Sequence, residues 1–177
     1  LEREGKRRMV EGIVLKGRAH VFGDDINTDY IISGKYKFKT LDMEELACHC
    51  MEDIDPDFSD KVEPGDFIVA GGNFGCGSSR EQAPLVIKHA GISAVLARSF
   101  ARIFFRNAIN KGLPAVECDT SGIETGDELE IDLVVGRVAN LTRGTEAEVT
   151  PLPMVMMDIL NEGGLTAYLK RHGGFKL

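Results

Sequence analysis

Phe67-Ile68-Val69-Ala70-Gly71-Gly72-Asn73-Phe74-Gly75-Cys76-Gly77-Ser78-Ser79-Arg80 runs from a short apolar strand through a glycine-rich turn into the start of a helix. Phe67–Ala70 has the length and apolarity of a buried strand, the glycines permit a tight turn, and the spacing from Ser79 onward is helical. Two hydroxyls and a guanidinium therefore meet in Gly75-Cys76-Gly77-Ser78-Ser79-Arg80. Exposed N–H groups and the positive end of the helix would converge there, which suits a carboxylate or a phosphate. Capping is the competing account, since Ser78 with Glu81 and Ser79 with Gln82 both match the S-x-x-E/Q pattern. It leaves Arg80 unexplained: a cation sits in the first helical turn, where an acidic side chain is favoured by a few tenths to about 1 kcal/mol. Either an anion beside Arg80 or stacking of its guanidinium on the surface would account for it.

Outward from this unit, Ala94–Ala97 and Ala115–Glu117 are two further short apolar runs, separated by helical patterns over residues 79–89 and 100–110. That alternation predicts crossover connections and a parallel sheet. Residues 12–21 read as a first strand, 24–40 as a long loop and 40–52 as a helix. After Thr125-Gly126-Asp127, short runs at 128–133, 137–140 and 146–150 alternate between turn residues and predict a β-meander. Residues 154–172 close the chain as a helix interrupted at Gly163-Gly164. The expected class is α/β, with a mostly parallel core sheet flanked by helices and a C-terminal antiparallel β segment.

Three further stretches carry chemistry. Gly23-Asp24-Asp25-Ile26-Asn27-Thr28-Asp29 places three carboxylates in seven residues, either as an Asx-turn before the buried Ile31-Ile32 pair or with Asp29 orienting a hydroxyl or an arginine. The spacing is not that of a calcium-binding EF-hand loop. Ser33-Gly34-Lys35-Tyr36-Lys37-Phe38-Lys39-Thr40 alternates lysines and aromatics, as an exposed basic edge strand or as a loop reaching over a bound anion. In residues 99–110, Arg102 and Arg106 project together at i, i+4 beside a core face of Ile103, Phe104, Phe105, Ala108 and Ile109. This is an ordinary amphipathic pattern or a surface for an acidic partner.

Other motifs are excluded. Gly75-x-Gly77-x-x-Arg80 lacks the third glycine of a dinucleotide fingerprint, and no G-x-x-x-x-G-K-[ST] or G-x-S-x-G occurs. A serine hydrolase would need His20, His49, His89 or His172 beside Ser78, and His89 lies about 15 Å away along the helix that Ser79 would open. Cys48, Cys50, Cys76 and Cys118 follow no disulfide or zinc spacing, which points to a reducing cytoplasm. In a helix Cys48 and Cys50 face different sides, against a shared metal. Cys76 is either a reactive thiol at a helix N-terminus or a small residue filling a turn.

The chain has 177 residues and a formal charge of −7, enough length to bury a core and the wrong sign for a general nucleic-acid binder. No run of 18 apolar residues suggests a membrane span. Residues 1–10 are expected to be an N-terminal extension with Met9 as a natural start, and 11–177 to form one domain.

Gly23-Asp24-x4-Asp29 with Ile31-Ile32, then Gly72-Asn73-Phe74-Gly75-Cys76-Gly77-Ser78-Ser79-Arg80-Glu81, then Ser99-Phe100-Ala101-Arg102-Ile103-Phe104-x-Arg106-Asn107 resemble the 3-isopropylmalate dehydratase small subunits. These are the separate-chain form of the aconitase swivel domain, and the resemblance runs from about Gly17 to Lys170. It implies a swivel-type β/β/α fold and a hydro-lyase of leucine biosynthesis. Such an enzyme moves a hydroxyl between neighbouring carbons of a small di- or tricarboxylate by dehydration and rehydration. It further implies a large subunit, in a heterodimer or heterotetramer, whose [4Fe–4S] cluster acts as Lewis acid on the departing hydroxyl, with no cofactor on this chain.

By that resemblance Ser78 is the proton acceptor, Ser79 and Arg80 meet substrate carboxylates with Thr28 beside them, and Asp29 edges the catalytic site. Lys35, Tyr36, Lys37, Phe38 and Lys39 would set substrate choice. Ser33-Gly34 replaces a proline common in the family after the isoleucine pair, which implies a freer loop. Homoaconitase, citramalate isomerase and 2,3-dimethylmalate dehydratase remain alternative activities. From other classes, a stand-alone small-anion-binding module and a serine hydrolase stay open.

Overall fold

The computed structural model describes residues 13–36 and 39–175; the expected extension over residues 1–10 lies outside them. In chain order the elements are β1 (Val14–Val21), α1 (Thr28–Ile31), a 3-10 turn (Gly34–Tyr36), α2 (Met43–Ala47), α3 (Phe58–Lys61), β2 (Phe67–Ala70), α4 (Gln82–His89), β3 (Ala94–Ala97), α5 (Arg102–Asn110) and β4 (Ala115–Glu117), followed by β5 (Glu128–Asp132), β6 (Arg137–Asn140), β7 (Thr145–Glu148), α6 (Met154–Asn161) and α7 (Leu165–His172).

All seven strands belong to one sheet ordered β4-β3-β2-β1-β5-β6-β7. β1 is the hinge of the topology. It pairs parallel with β2 through Ala19 opposite Phe67, and antiparallel with β5 through Leu15 opposite Ile131. β2, β3 and β4 continue in parallel, whereas β5, β6 and β7 form the meander. The fold class is therefore the one expected, a parallel half flanked by helices and a C-terminal antiparallel half.

Every residue of β2 and β3 is buried, because helices cover both faces, as a parallel sheet requires. Ile68, Ala70, Val95 and Ala97 point into one core with Val86 and Ile87 of α4 and Leu46 of α2. Phe67, Val69, Ala94 and Leu96 point into the other, with Leu129 and Ile131 of β5, Met157 of α6 and Tyr168 of α7. α5 joins the two, since Phe104 and Ala108 belong to the first core and Ile109 to the second. This dual packing fixes α5 at the rim where β2 delivers its turn.

Two helices depart from expectation. The pattern over residues 40–52 gives only Met43–Ala47 as helix; Met51 then takes a left-handed φ of 59° and its N–H donates to the Ile31 carbonyl at 3.0 Å. Tertiary anchoring outweighs helical propensity there. The second helix starts at Gln82 rather than Ser79, with Pro84 in its first turn, where a missing N–H costs nothing.

Candidate active site

The turn after β2 is sewn to two neighbours. On one side Gly75 N–H donates to the Ile26 carbonyl at 2.8 Å and Thr28 N–H to the Cys76 carbonyl at 2.9 Å. On the other, Phe74 N–H donates to the Ser99 carbonyl at 3.0 Å and Ala101 N–H to the Phe74 carbonyl at 2.9 Å. The acidic loop, the glycine turn and the start of α5 thus form one backbone assembly.

Two glycines make that close approach possible. A Cβ on Gly75, at φ 79°, would lie 2.2 Å from Phe104 Cγ; one on Gly77, at φ 90°, would lie 2.4 Å from Asn27 Oδ1. Asn27 Oδ1 already accepts from Asp29 N–H at 2.9 Å and caps α1. Gly77→Ala combines a left-handed backbone with that collision, and is expected to cost about 1–3 kcal/mol of stability. Denaturant unfolding of the variant beside wild type measures it.

The three carboxylates of the acidic loop turn to different partners. Asp24 Oδ1 accepts from Gly72 N–H and from Arg98 Nη2, each at 2.6 Å, and these two contacts hold its carboxyl below the usual range. Asp25, at φ 54°, accepts from Asn73 Nδ2 at 2.8 Å. Asp29 pairs with Arg80 Nη2, while Arg80 Nη1 donates to the Ile32 carbonyl at 2.7 Å. The anion expected beside Arg80 is therefore supplied first by this chain. A ligand still has the Nε–H and the second hydrogens of both Nη atoms.

Neither serine caps α4, whose N-cap position is held by Glu81 with no side-chain cap. Both are exposed, and among the described residues neither hydroxyl has a hydrogen-bond partner, so Ser78 is bonded to no histidine. The amides of Gly77, Ser78, Ser79 and Arg80 likewise donate to no acceptor among those residues. Successive open amides of this kind form an anion-binding concavity. Thr28, buried at 2% exposure, donates its hydroxyl to the Ser78 carbonyl at 2.7 Å. That bond ties Thr28 to the serine's backbone, and Thr28 also borders the hollow described next.

Ser78, Ser79 and Arg80 line a hollow of about 330 Å³ whose other wall is the first turn of α5, including Arg102, Ile103 and Asn107. The sequence reads these α5 residues as an amphipathic helix or as a surface for an acidic partner, not as a wall of the Ser78 hollow. Their signal was the spacing of Ser99-Phe100-Ala101-Arg102, which gave no indication that the helix start faces the glycine turn.

Among its described residues the lysine-aromatic stretch forms no edge strand. It opens as a 3-10 turn tied down from two directions. A Cβ on Gly34 would sit 3.4 Å from Arg80 Nη2, so the loop begins directly over the Arg80–Asp29 pair. Farther on, Glu52 gathers the loop: its Oε1 accepts from Lys35 Nζ at 2.9 Å and from the Tyr36 hydroxyl at 2.7 Å, and its Oε2 meets His49 Nδ1. The hydrogen bonds from Tyr36 and His49 outweigh burial and hold the Glu52 carboxyl down at about 2. The Tyr36 ring stacks on His49 at 3.8 Å between centroids, with Lys39 Nζ 5.6 Å from its centre. Lys35 and Tyr36 therefore anchor this loop, which is held at its start despite lacking proline. Lys37 and Phe38 lie outside the described residues.

All four cysteines are free thiols. Burial and the charge of Asp25 push the Cys76 thiol up, opposite to what a reactive cysteine needs, so Cys76 fills the turn. Burial likewise raises Cys50, and lifts Cys118 to about 12. Among the described residues no group of three or more His, Cys, Asp or Glu side chains gathers to hold a metal ion. These thiols do not fit an iron–sulfur cluster.

Comparison with known proteins agrees with this geometry. Residues 30–121 match the aconitase C-terminal domain family. The chain is 61% identical over 161 residues to 3-isopropylmalate dehydratase small subunit 2 of Archaeoglobus fulgidus, covering 91% of this chain and 98% of that protein. It is 53% identical over 163 residues to small subunit 1 of the same enzyme from Thermotoga maritima, covering 92% and 98%. The crystal structure of 3-isopropylmalate dehydratase from Methanocaldococcus jannaschii superposes with a TM-score of 0.88 at 50% identity, over 91% of this chain and 96% of that one. With relatives 61% and 53% identical and a solved structure at a TM-score of 0.88, each along about nine-tenths of its length, the chain belongs to the 3-isopropylmalate dehydratase small-subunit family, built on the aconitase C-terminal domain.

Proposed function

We propose that this chain is the small subunit of a two-subunit hydro-lyase that interconverts 2-isopropylmalate and 3-isopropylmalate in leucine biosynthesis. One observation carries the reading. The Ser78 hydroxyl stands open over a hollow rimmed by Arg80 and by amides that, among the described residues, have no acceptor, and no base among those residues is bonded to it. A serine hydroxyl is a very weak acid, so it serves as a proton acceptor only where donors stabilise its alkoxide. The amides of residues 77–80 and the Arg80 guanidinium are those donors.

In the forward step the Ser78 alkoxide takes the proton from the carbon α to a carboxylate and becomes a hydroxyl. The released electron pair forms the carbon–carbon double bond as hydroxide leaves the neighbouring carbon. Rehydration with the two positions exchanged returns the proton from Ser78 and completes the isomerisation. Arg80, aimed by Asp29 and the Ile32 carbonyl, steadies the carboxylate that absorbs charge. Ser79 adds a hydroxyl contact, and Thr28 fixes the Ser78 backbone. The departing hydroxide requires a Lewis acid, which a [4Fe–4S] cluster on the large subunit would supply.

The relatives named above support isopropylmalate over homocitrate, citramalate or dimethylmalate. The loop anchored by Lys35 and Tyr36, continuing through Lys37 and Phe38 to Lys39, is where substrate choice is set. Four free cysteines support a reducing compartment such as the cytoplasm, and no helix among the described residues is long and apolar enough to cross a membrane. Anaerobic reconstitution with the large subunit, assayed on all four hydroxy acids, tests the substrate. The highest kcat/KM is expected on isopropylmalate; a higher value on any other acid would reassign the enzyme.

A further inference from the structure

Among the described residues, every arginine except two is paired with a carboxylate. Arg18 meets Glu63, Arg80 meets Asp29, Arg98 meets Asp24, Arg137 meets Glu146, Arg143 meets Glu124 and Asp127, and Arg171 meets Glu162. Arg102 and Arg106 are the exceptions. They lie one turn apart on α5, both exposed, with no carboxylate of those residues within 4.0 Å. In a chain of net charge −7, carboxylates are abundant, so two adjacent arginines without one mark a surface whose counter-charge comes from outside.

The same two arginines rim a hollow of about 410 Å³ with an apolar lining from Phe100, Phe105, Pro151, Leu152, Pro153 and Met156. Glu117 also borders it, yet forms no ion pair there. Ile103 and Met154 remain 55% and 61% exposed on the neighbouring turns. Arg102 lines this hollow and the Ser78 hollow alike. Anything that closes over Ser78 from the α5 side therefore passes over Arg102 and continues onto the apolar hollow.

We infer that the α5 face, from Arg102 across Arg106 to the segment 151–156, is the docking surface for the large subunit, and receives a segment that joins one or two carboxylates to an apolar side chain. The carboxylates pair with Arg102 and Arg106, and the apolar group fills the hollow. This rests on the two-subunit reading given above and adds which face carries the contact. Apolar burial at the centre and charge at the rim is the usual division of labour in such contacts.

The test measures the dissociation constant between the full chain and its large subunit for wild type, Arg102→Glu, Arg106→Glu and, as a matched charge reversal elsewhere, Lys16→Glu on β1. Thermal unfolding of each variant alone verifies its fold. Each arginine reversal is expected to weaken association by about tenfold or more, Lys16→Glu to leave it within twofold, and wild-type affinity to fall as salt rises. Unchanged affinity for both arginine variants, or a salt-independent wild-type affinity, overturns the inference while the two-subunit reading stands. A raised KM with unchanged association for Arg102→Glu would give Arg102 to the substrate and also overturns it. So would loss of self-association in place of heteromer formation. Failure of wild type to bind the large subunit at all overturns both.

Discussion

Ser78→Ala is expected to reduce kcat of the reconstituted two-subunit enzyme by about 10³-fold or more, within the range that general acid–base groups contribute, while KM and subunit affinity stay close to wild type. The structure makes this a clean substitution. The Ser78 hydroxyl bonds to nothing among the described residues, and the turn is held by backbone contacts and by Thr28 through the Ser78 carbonyl. Removing one oxygen therefore leaves the fold and the hollow in place. Ser79→Ala, by contrast, should act chiefly on KM, because in the proposed mechanism Ser79 offers binding without accepting the proton. Steady-state kinetics on the two variants separates the roles; equal losses in kcat would contradict the assignment.

Arg80→Lys is the second large effect. Arg80 holds Asp29 through Nη2 and the Ile32 carbonyl through Nη1 at 2.7 Å, and in the proposed mechanism its remaining donors take a substrate carboxylate as a third partner. An ammonium group is a compact charge without the planar fork, so it cannot serve all three. Losing about two charge-assisted hydrogen bonds, at roughly 1.5–2 kcal/mol each, predicts a fall in kcat/KM of about 10²–10³-fold. Asp29→Asn keeps a hydrogen-bond acceptor beside Arg80 and removes only the charge, so a loss of about tenfold is expected. If lysine preserved kcat/KM, Arg80 would be structural and the carboxylate contact would have to lie elsewhere.

The elements with strong local signals were legible in the sequence. β2, β3 and β4 fall where four- and three-residue apolar runs placed them, and the meander and the break at Gly163-Gly164 follow the turn residues. What local pattern missed was settled by partners far away in the chain. Ser78 and Ser79 satisfy a capping box by spacing, but hydrogen bonds from the acidic loop and α5 hold the turn in another shape and delay the helix to Gln82. Arg80 was legible as a cation in need of an anion; that its anion is Asp29 was not, because 51 residues separate them. That Lys35 and Tyr36 of the expected substrate-choice loop bond Glu52, and that Tyr36 stacks on His49, was not legible either, because the turn after α2 brings those partners in.

In the proposed mechanism this chain carries a proton acceptor whose chemistry is completed only by a second subunit. Isopropylmalate turnover should be assayed under anaerobic conditions for the chain alone, for the cluster-loaded large subunit alone, and for the two together. Turnover only in the mixture is the predicted result. Turnover by this chain alone in metal-free solution, or by the large subunit without it, would contradict the claim.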